Sequence, residues 1–308
     1  MMSQKAFGLL AGIAAASIWG GMYVVSKVVL DIIPPFALVS LRLMLGAACL
    51  LIILVVQKGL KASAAQRTTA VLVGLVGHGI SLGLQFVGTR MSTAANASLV
   101  TSASPVFIFL FGAWILRENI TLARSAALAL ATIGVIAVVD PRAANLGGQV
   151  FWGNLVLLGA AITWGLYSVL IKRVSTTVGT LELSFLALLG GLPVSLPLGS
   201  LELSRQGVGV INLAVVLGVL YLGIVSTALA MYLWNKSLAL LDAGVVSLLF
   251  FAQPVVGGGL GATLLHERLG PGYWLGAALI AAGLWVAARS EGMMGANRRA
   301  APQAVDEA

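Results

Sequence analysis

A chain of 308 residues that is 59% hydrophobic and only 9% charged, with a mean hydropathy of +1.03, is too apolar for a water-soluble domain, where roughly a quarter of residues carry charge. Its net charge of +8 comes from basic residues scattered between apolar runs. They do not cluster with aromatics as in nucleic-acid binders, so nucleic acid is excluded as a partner and the lipid bilayer is the implied solvent. The single cysteine, Cys49, excludes an intramolecular disulfide and a thiolate metal cluster, and no metal or cofactor is expected.

Apolar runs of about 20 residues, long enough to cross a bilayer as helices, recur along the whole chain. The sequence predicts an all-α membrane protein of ten transmembrane helices, near 6–30, 35–57, 67–89, 93–116, 121–139, 150–172, 181–200, 209–235, 243–265 and 271–289. The first run has no small-residue cleavage pattern before a soluble domain and is followed by further spans, so it reads as a retained helix. Connections such as 31–34 and 140–149 leave no room for a soluble domain. The segment 290–308, small and polar, reads as a disordered tail.

With the N-terminus in the cytoplasm, twelve Lys and Arg residues fall on the inner side and four on the outer side, with Lys27 and Arg42 left within spans. The positive-inside rule favours this orientation and places both termini in the cytoplasm. Lys27 and Arg42 read as groups toward the outer ends of the first two spans, snorkelling or pairing with Asp31.

Two stretches repeat. ASPVFIFLFGAWILRE (103–118) matches AQPVVGGGLGATLLHE (252–267), aligning Pro105 with Pro254 and Glu118 with Glu267 at an offset of 149. IWGGMYVVSK (18–27) matches TWGLYSVLIK (163–172), aligning Trp19, Gly20 and Lys27 with Trp164, Gly165 and Lys172 at an offset of 145. Five spans per half is odd, so matched segments cross in opposite directions. The expectation is two inverted five-helix repeats, 1–143 and 144–289, the architecture of an alternating-access transporter.

Ten spans as five plus five, the Trp-Gly near the start of each half, and the proline followed by Glu at the end of the fourth and ninth helices resemble the EamA branch of the drug/metabolite transporter superfamily. The resemblance covers nearly the whole chain. Within that superfamily the chain is most similar to the YddG-like bacterial exporters of aromatic and other amino acids. The resemblance implies export of amino acids across the inner membrane, with no catalytic residue.

The residues themselves suggest where a substrate sits. No carboxylate falls at mid-membrane, which argues against a proton antiporter built on a buried acid and against an intramembrane aspartyl protease. Movement is then expected down the substrate's own gradient or through coupling at His78. His78, Ser81 and Gln85 recur at i, i+3 and i+7, one face of the third helix, and could line a cavity; alternatively His78 bonds a neighbouring helix and holds the bundle. Trp19 and Tyr23 in the first helix, and Trp164 and Tyr167 in the sixth, suit either an interfacial belt or a cavity wall on which an apolar side chain stacks. Asn96 and Ser98 in the fourth helix, and Ser247 and Phe251 in the ninth, complete the candidate binding set. Pro105 and Pro254 read as paired hinges or as static kinks.

There is no phosphate-binding loop, and HERLG (266–270) lacks the second His of a zinc protease motif. A multidrug exporter, a carrier of phosphorylated sugars, a lipid-acting membrane enzyme and a passive channel are the competing readings. The phosphate carrier would want cationic groups at mid-span, and the sequence places none there. No oligomeric state follows from the sequence.

Overall fold

The computed structural model describes residues 4–57, 59–115, 122–139, 148–240, 246 and 249–300. Among them every regular element is helical. The elements are α1 (Gln4–Leu30), α2 (Pro35–Val56), α3 (Ala64–Met91), α4 (Ala94–Ile115), α5 (Leu122–Val139), α6 (Gln149–Ser175) and α7 (Thr180–Gln206). A rod assembled from Leu213–Leu220, Tyr221–Leu229 and Ala230–Leu240 forms α8, and α9 (Ala252–Leu264) and α10 (Pro271–Ala300) follow. Seven of these, α1 to α4 and α6 to α8, are long and apolar enough to cross a membrane. Their outer faces carry bare apolar side chains, among them Ile52, Val55, Val56 and Trp114, as expected where hydrocarbon is the solvent.

Helix α10 runs on to Ala300, past Ser290 where the sequence suggested a structureless tail. No proline interrupts it before Pro302, and the residue before a proline is where helices commonly end. Residues 301–308 lie outside the described residues.

The packing partners are matched. Helix α1 packs on α8 and α9, while α6 packs on α3 and α4; α3 packs on α7, while α2 packs on α8; α2 meets α7, α4 meets α9 and α5 meets α10. Exchanging each helix for the one five places on leaves this set of contacts unchanged. The Trp-Gly pairs account for part of it. A methyl group added at Gly20 would fall 2.7 Å from the Gln253 carbonyl oxygen and 2.8 Å from Val256 Cβ; one added at Gly165 would fall 2.5 Å from Phe107 Cβ. Only a residue without Cβ allows α1 so close to α9, and α6 so close to α4.

Both α3 and α8, five helices apart, contain a π-helical turn, at Leu75–Ser81 and Tyr221–Leu229. Each inserts an extra residue into its turn, a feature that concentrates at functional sites. Helix α4 is interrupted at Ser102 and Ala103, where bonds tighten to i+3. Pro105 enters the first turn of the continuing helix, and Pro254 enters the first turn of α9 after a 3₁₀ turn at Leu249–Phe251. In both places the missing proline N–H falls where helix donors have no partner anyway.

Charged side chains close several helix starts. Glu202 on α7 accepts from the backbone N–H groups of Phe36 (2.7 Å) and Ala37 (3.2 Å), because Pro34 offers α2 no side-chain cap. Glu182 accepts from Lys61 and Ala62 ahead of α3. The left-handed His266 (φ 53°) follows α9 and brings Glu267 onto the N–H groups of Ala94 (2.7 Å) and Ala95 (2.8 Å). At the other pole Lys27 donates to the carbonyls of Thr89, Arg90 and Ser92 at the end of α3. Carboxylates at helix N-termini and a cation at a C-terminus complement the helix dipole. Glu202→Ala leaves two donors at the start of α2 unpaired and is expected to lower stability by about 1–2 kcal/mol, whereas Glu202→Gln keeps one acceptor and loses less. Thermal unfolding of the detergent-purified variants checks the order.

Candidate functional site

A cavity lies at the centre of the bundle, walled by residues of α1, α2, α3, α4, α6, α8 and the start of α9. The space among its walls, open mouth included, is about 510 Å³. Six candidates from the sequence meet there: Trp19, Tyr23, His78, Ser81, Gln85 and Trp164. The spacing of His78, Ser81 and Gln85 survives the π turn, since all three line the cavity.

One side of the cavity is aromatic. Trp19 and Trp164, the two residues aligned in the sequence matches, meet edge to face at 5.9 Å between ring centroids. Phe250 stacks on Trp19 at 6.0 Å, and Trp234 packs behind both, 4.5 Å from Phe250 and 5.3 Å from Trp19. His78 extends this wall, its ring 6.2 Å from Trp164 and 5.2 Å from Tyr167.

The lining also holds a hydrogen-bond network centred on Tyr23. Its hydroxyl accepts from the side-chain amides of Gln85 and Gln253, leaving its proton for Thr101 Oγ1 at 2.6 Å. Thr101 in turn donates to the Ala97 carbonyl at 2.6 Å. One phenol thereby ties α1 to α3, α4 and α9. Ser81 is held by donation to the Ala160 carbonyl at 2.8 Å.

Arg42 corrects the sequence reading. It does not reach Asp31 at an outer mouth. It is buried to 2% exposure and lines the cavity, with Nε donating to Thr227 Oγ1 (2.8 Å), Nη2 to Ser226 Oγ (3.3 Å) and Nη1 to Met22 Sδ (3.2 Å). The Phe86 ring lies beneath it, 4.9 Å from Cζ. Ser226 and Thr227 sit in the π turn of α8, so that turn builds the seat of the guanidinium. The expectation that no cation lies at mid-span is overturned with it.

Buried polar atoms without a protein partner are costly, and three of them belong to this wall: both ring nitrogens of His78 and Nε1 of Trp164. The alternative in which His78 bonds a neighbouring helix is therefore not what the structure shows. Trp19, by contrast, donates to the Ser226 carbonyl at 3.0 Å.

The other candidates lie elsewhere. Tyr167 forms a second row behind His78, packed against Gly77. Ser98 is buried where α4 crosses α9, donating to the Ala95 carbonyl and pressed against Gly257. Asn96 is half-buried in the first turn of α4, where Thr93 accepts from its backbone N–H. Ser247 lies outside the described residues, and Phe251 is described only in its backbone; its neighbour Phe250 takes the place in the wall. Among the described residues no group of His, Cys, Asp and Glu could hold a metal ion.

The family model described as the EamA-like transporter family matches residues 6–140 and again residues 151–289. The chain belongs to this family. Among relatives of this EamA-like transporter, a protein of Salmonella typhimurium named "Probable amino-acid metabolite efflux pump" is 30% identical over 300 residues, covering 92% of this chain and 95% of that one. The "Uncharacterized transporter YetK" of Bacillus subtilis is 27% identical over 294 residues, covering 93% and 88%. A solved crystal structure, 22% identical, superposes with a TM-score of 0.67 over 93% of this EamA-like chain and 98% of the other, which shows a shared fold.

Proposed function

We propose that this EamA-like chain is a secondary transporter that exports amino acids, aromatic and other neutral ones, across the bacterial inner membrane by alternating access through the central cavity. In this reading ten helices span the bilayer as two inverted five-helix repeats, 1–143 and 144–289, followed by the segment 290–308, with both termini cytoplasmic. Four observations support the repeat: the double family match, the packing set unchanged on exchange of the halves, the paired π turns, and the paired Trp-Gly contacts. Pro105 and Pro254, each in the first turn of a helix that restarts inside the bundle, are the hinges.

The observation that carries the substrate class is the cavity itself, lined both by an aromatic wall and by a buried guanidinium. The wall accepts an apolar or aromatic side chain, and the guanidinium accepts a carboxylate. A relative at 30% identity named for amino-acid metabolite efflux supports the same reading. A drug cation is disfavoured beside Arg42, since like charges repel strongly in a low-dielectric site.

Counterflow tests the reading. Liposomes holding the purified protein and preloaded with unlabelled phenylalanine, tryptophan or threonine should take up the labelled solute saturably. Trp164→Ala and His78→Ala should reduce the uptake of phenylalanine at least about tenfold, the scale of one lost aromatic contact. Saturable uptake of a drug cation or phosphorylated sugar in place of amino acids would sink the substrate assignment, and unchanged uptake in both variants would move the site elsewhere.

A further inference from the structure

A guanidinium has five N–H donors. The structure engages three of those on Arg42, all with uncharged acceptors, one of them a weakly accepting sulfur. Among the described residues no carboxylate pairs with it: Glu182, Glu202 and Glu267 are engaged with backbone N–H groups at helix starts, and Asp31 is exposed in the turn after α1. Lys27, in the last turn of α1, has its three donors on three carbonyls. Arg42 is left as a permanent charge, buried among the helices with two donors to spare, an arrangement that marks a functional site in a membrane interior.

The remaining wall groups point the same way. Spare donors are present: the indole N–H of Trp164, one ring nitrogen of His78 in either tautomer, and the two of Arg42. The acceptors on these walls are all uncharged, among them the second ring nitrogen of His78, the side-chain oxygens of Gln85 and Gln253, and the hydroxyls of Ser81 and Ser104, while the two lone pairs of the Tyr23 hydroxyl are taken by Gln85 and Gln253. A ligand carrying one negative charge satisfies Arg42. A ligand cation finds no carboxylate among the residues that line the cavity.

We propose that Arg42 binds the carboxylate of the transported solute, and that the cavity takes monocarboxylates without an ammonium group, such as aromatic 2-hydroxy and 2-oxo acids, ahead of the zwitterionic amino acids with the same side chain. The carboxylate meets the guanidinium by paired hydrogen bonds, and a 2-hydroxy or 2-oxo oxygen offers a further acceptor to Trp164 or His78. The α-ammonium of an amino acid brings a second positive charge within a few ångströms of Arg42 and finds no anionic partner on these walls. Amino acids bind through the same carboxylate with lower affinity. This inference rests on the cavity being the transport site.

Titration calorimetry on the protein in nanodiscs tests it with three ligands that share a phenyl ring: 3-phenyllactate, phenylalanine and phenethylamine. The expected order is phenyllactate at least tenfold tighter than phenylalanine, with no heat from phenethylamine. Arg42→Gln should lose phenyllactate binding and erase the preference, and Arg42→Lys should keep part of both. Phe250→Ala, which removes a ring of the wall but no hydrogen-bond donor, should weaken the two carboxylates in the same proportion and leave their ratio unchanged. Phenylalanine binding as tightly as phenyllactate, or a preference that persists in Arg42→Gln, overturns the inference and leaves amino-acid export standing. No binding of either carboxylate, together with counterflow of a drug cation, removes both. The wild-type ligand order decides the matter even if a variant fails to fold.

Discussion

Arg42→Met is expected to raise the thermal midpoint of the detergent-purified protein and, in the same preparation, to abolish carboxylate counterflow. Burying an ion costs several kcal/mol even after relaxation, and an apolar side chain of similar volume in its place is often neutral or stabilising. Arg42 is buried to 2% exposure with uncharged partners, so little Coulomb attraction offsets that cost in the empty protein. Met fills similar space beside Met22 and Phe86, and Thr227 keeps its own bond to the Leu222 carbonyl. A gain of about 1 kcal/mol corresponds to roughly 2 °C. The transport loss follows from a missing charge-assisted contact of about 1.5–3 kcal/mol, roughly 10- to 150-fold. A lower midpoint with counterflow intact would make Arg42 a structural residue and remove it from the site.

Gly165→Leu should cost more stability than any other single change discussed. A Cβ at this position would lie 2.5 Å from Phe107 Cβ and 3.0 Å from the Phe107 backbone carbon, and backbone does not move aside as a flexible side-chain end can. Overpacking of this kind costs about 1–3 kcal/mol even where neighbours can shift, and here α6 would have to part from α4 at the edge of the cavity. Gly259→Leu is the control. It sits in α9, where an added methyl would meet nothing within 4 Å, and leucine gains close to 1 kcal/mol of helix propensity over glycine. Size-exclusion profiles of the two variants should diverge, with Gly165→Leu losing its monodisperse peak several-fold and Gly259→Leu retaining it; equal profiles would refute the close-approach argument.

The helices were legible because hydrocarbon imposes one rule, an unbroken apolar run of sufficient length, and because Gly20 and Gly165 sit where geometry tolerates nothing larger. The stripe of His78, Ser81 and Gln85 was legible for the same reason: polar groups on one face of an apolar helix need a partner. Arg42 was not. It lies in FALVSLRLMLGAAC (36–49) with no local polar pattern, and its seat, Ser226 and Thr227, is 184 and 185 residues away in the chain. One signal was present: Arg42 is seven residues past Pro35, about 10 Å along the helix at 1.5 Å per residue, deeper than snorkelling from the outer surface implied. Phe250 was missed by a single position, since the 3₁₀ turn at Leu249–Phe251 uses three residues per turn and redirects each side chain relative to an α-helix. The π turns left no mark in composition, because one extra residue in a long apolar run changes nothing that a hydropathy pattern registers.

The carboxylates that close the starts of α2, α3 and α4 have a consequence for biosynthesis. The N–H groups of Phe36, Ala37, Lys61, Ala62, Ala94 and Ala95 find their acceptors on Glu202, Glu182 and Glu267, which follow 120 to 173 residues later. At 5–20 residues per second of translation, these amides are made about 6 to 35 s before the carboxylates that cap them. During that interval the exposed amides must be held at the water–lipid boundary. The N-terminal half is therefore the more vulnerable to quality-control proteases until its second half arrives.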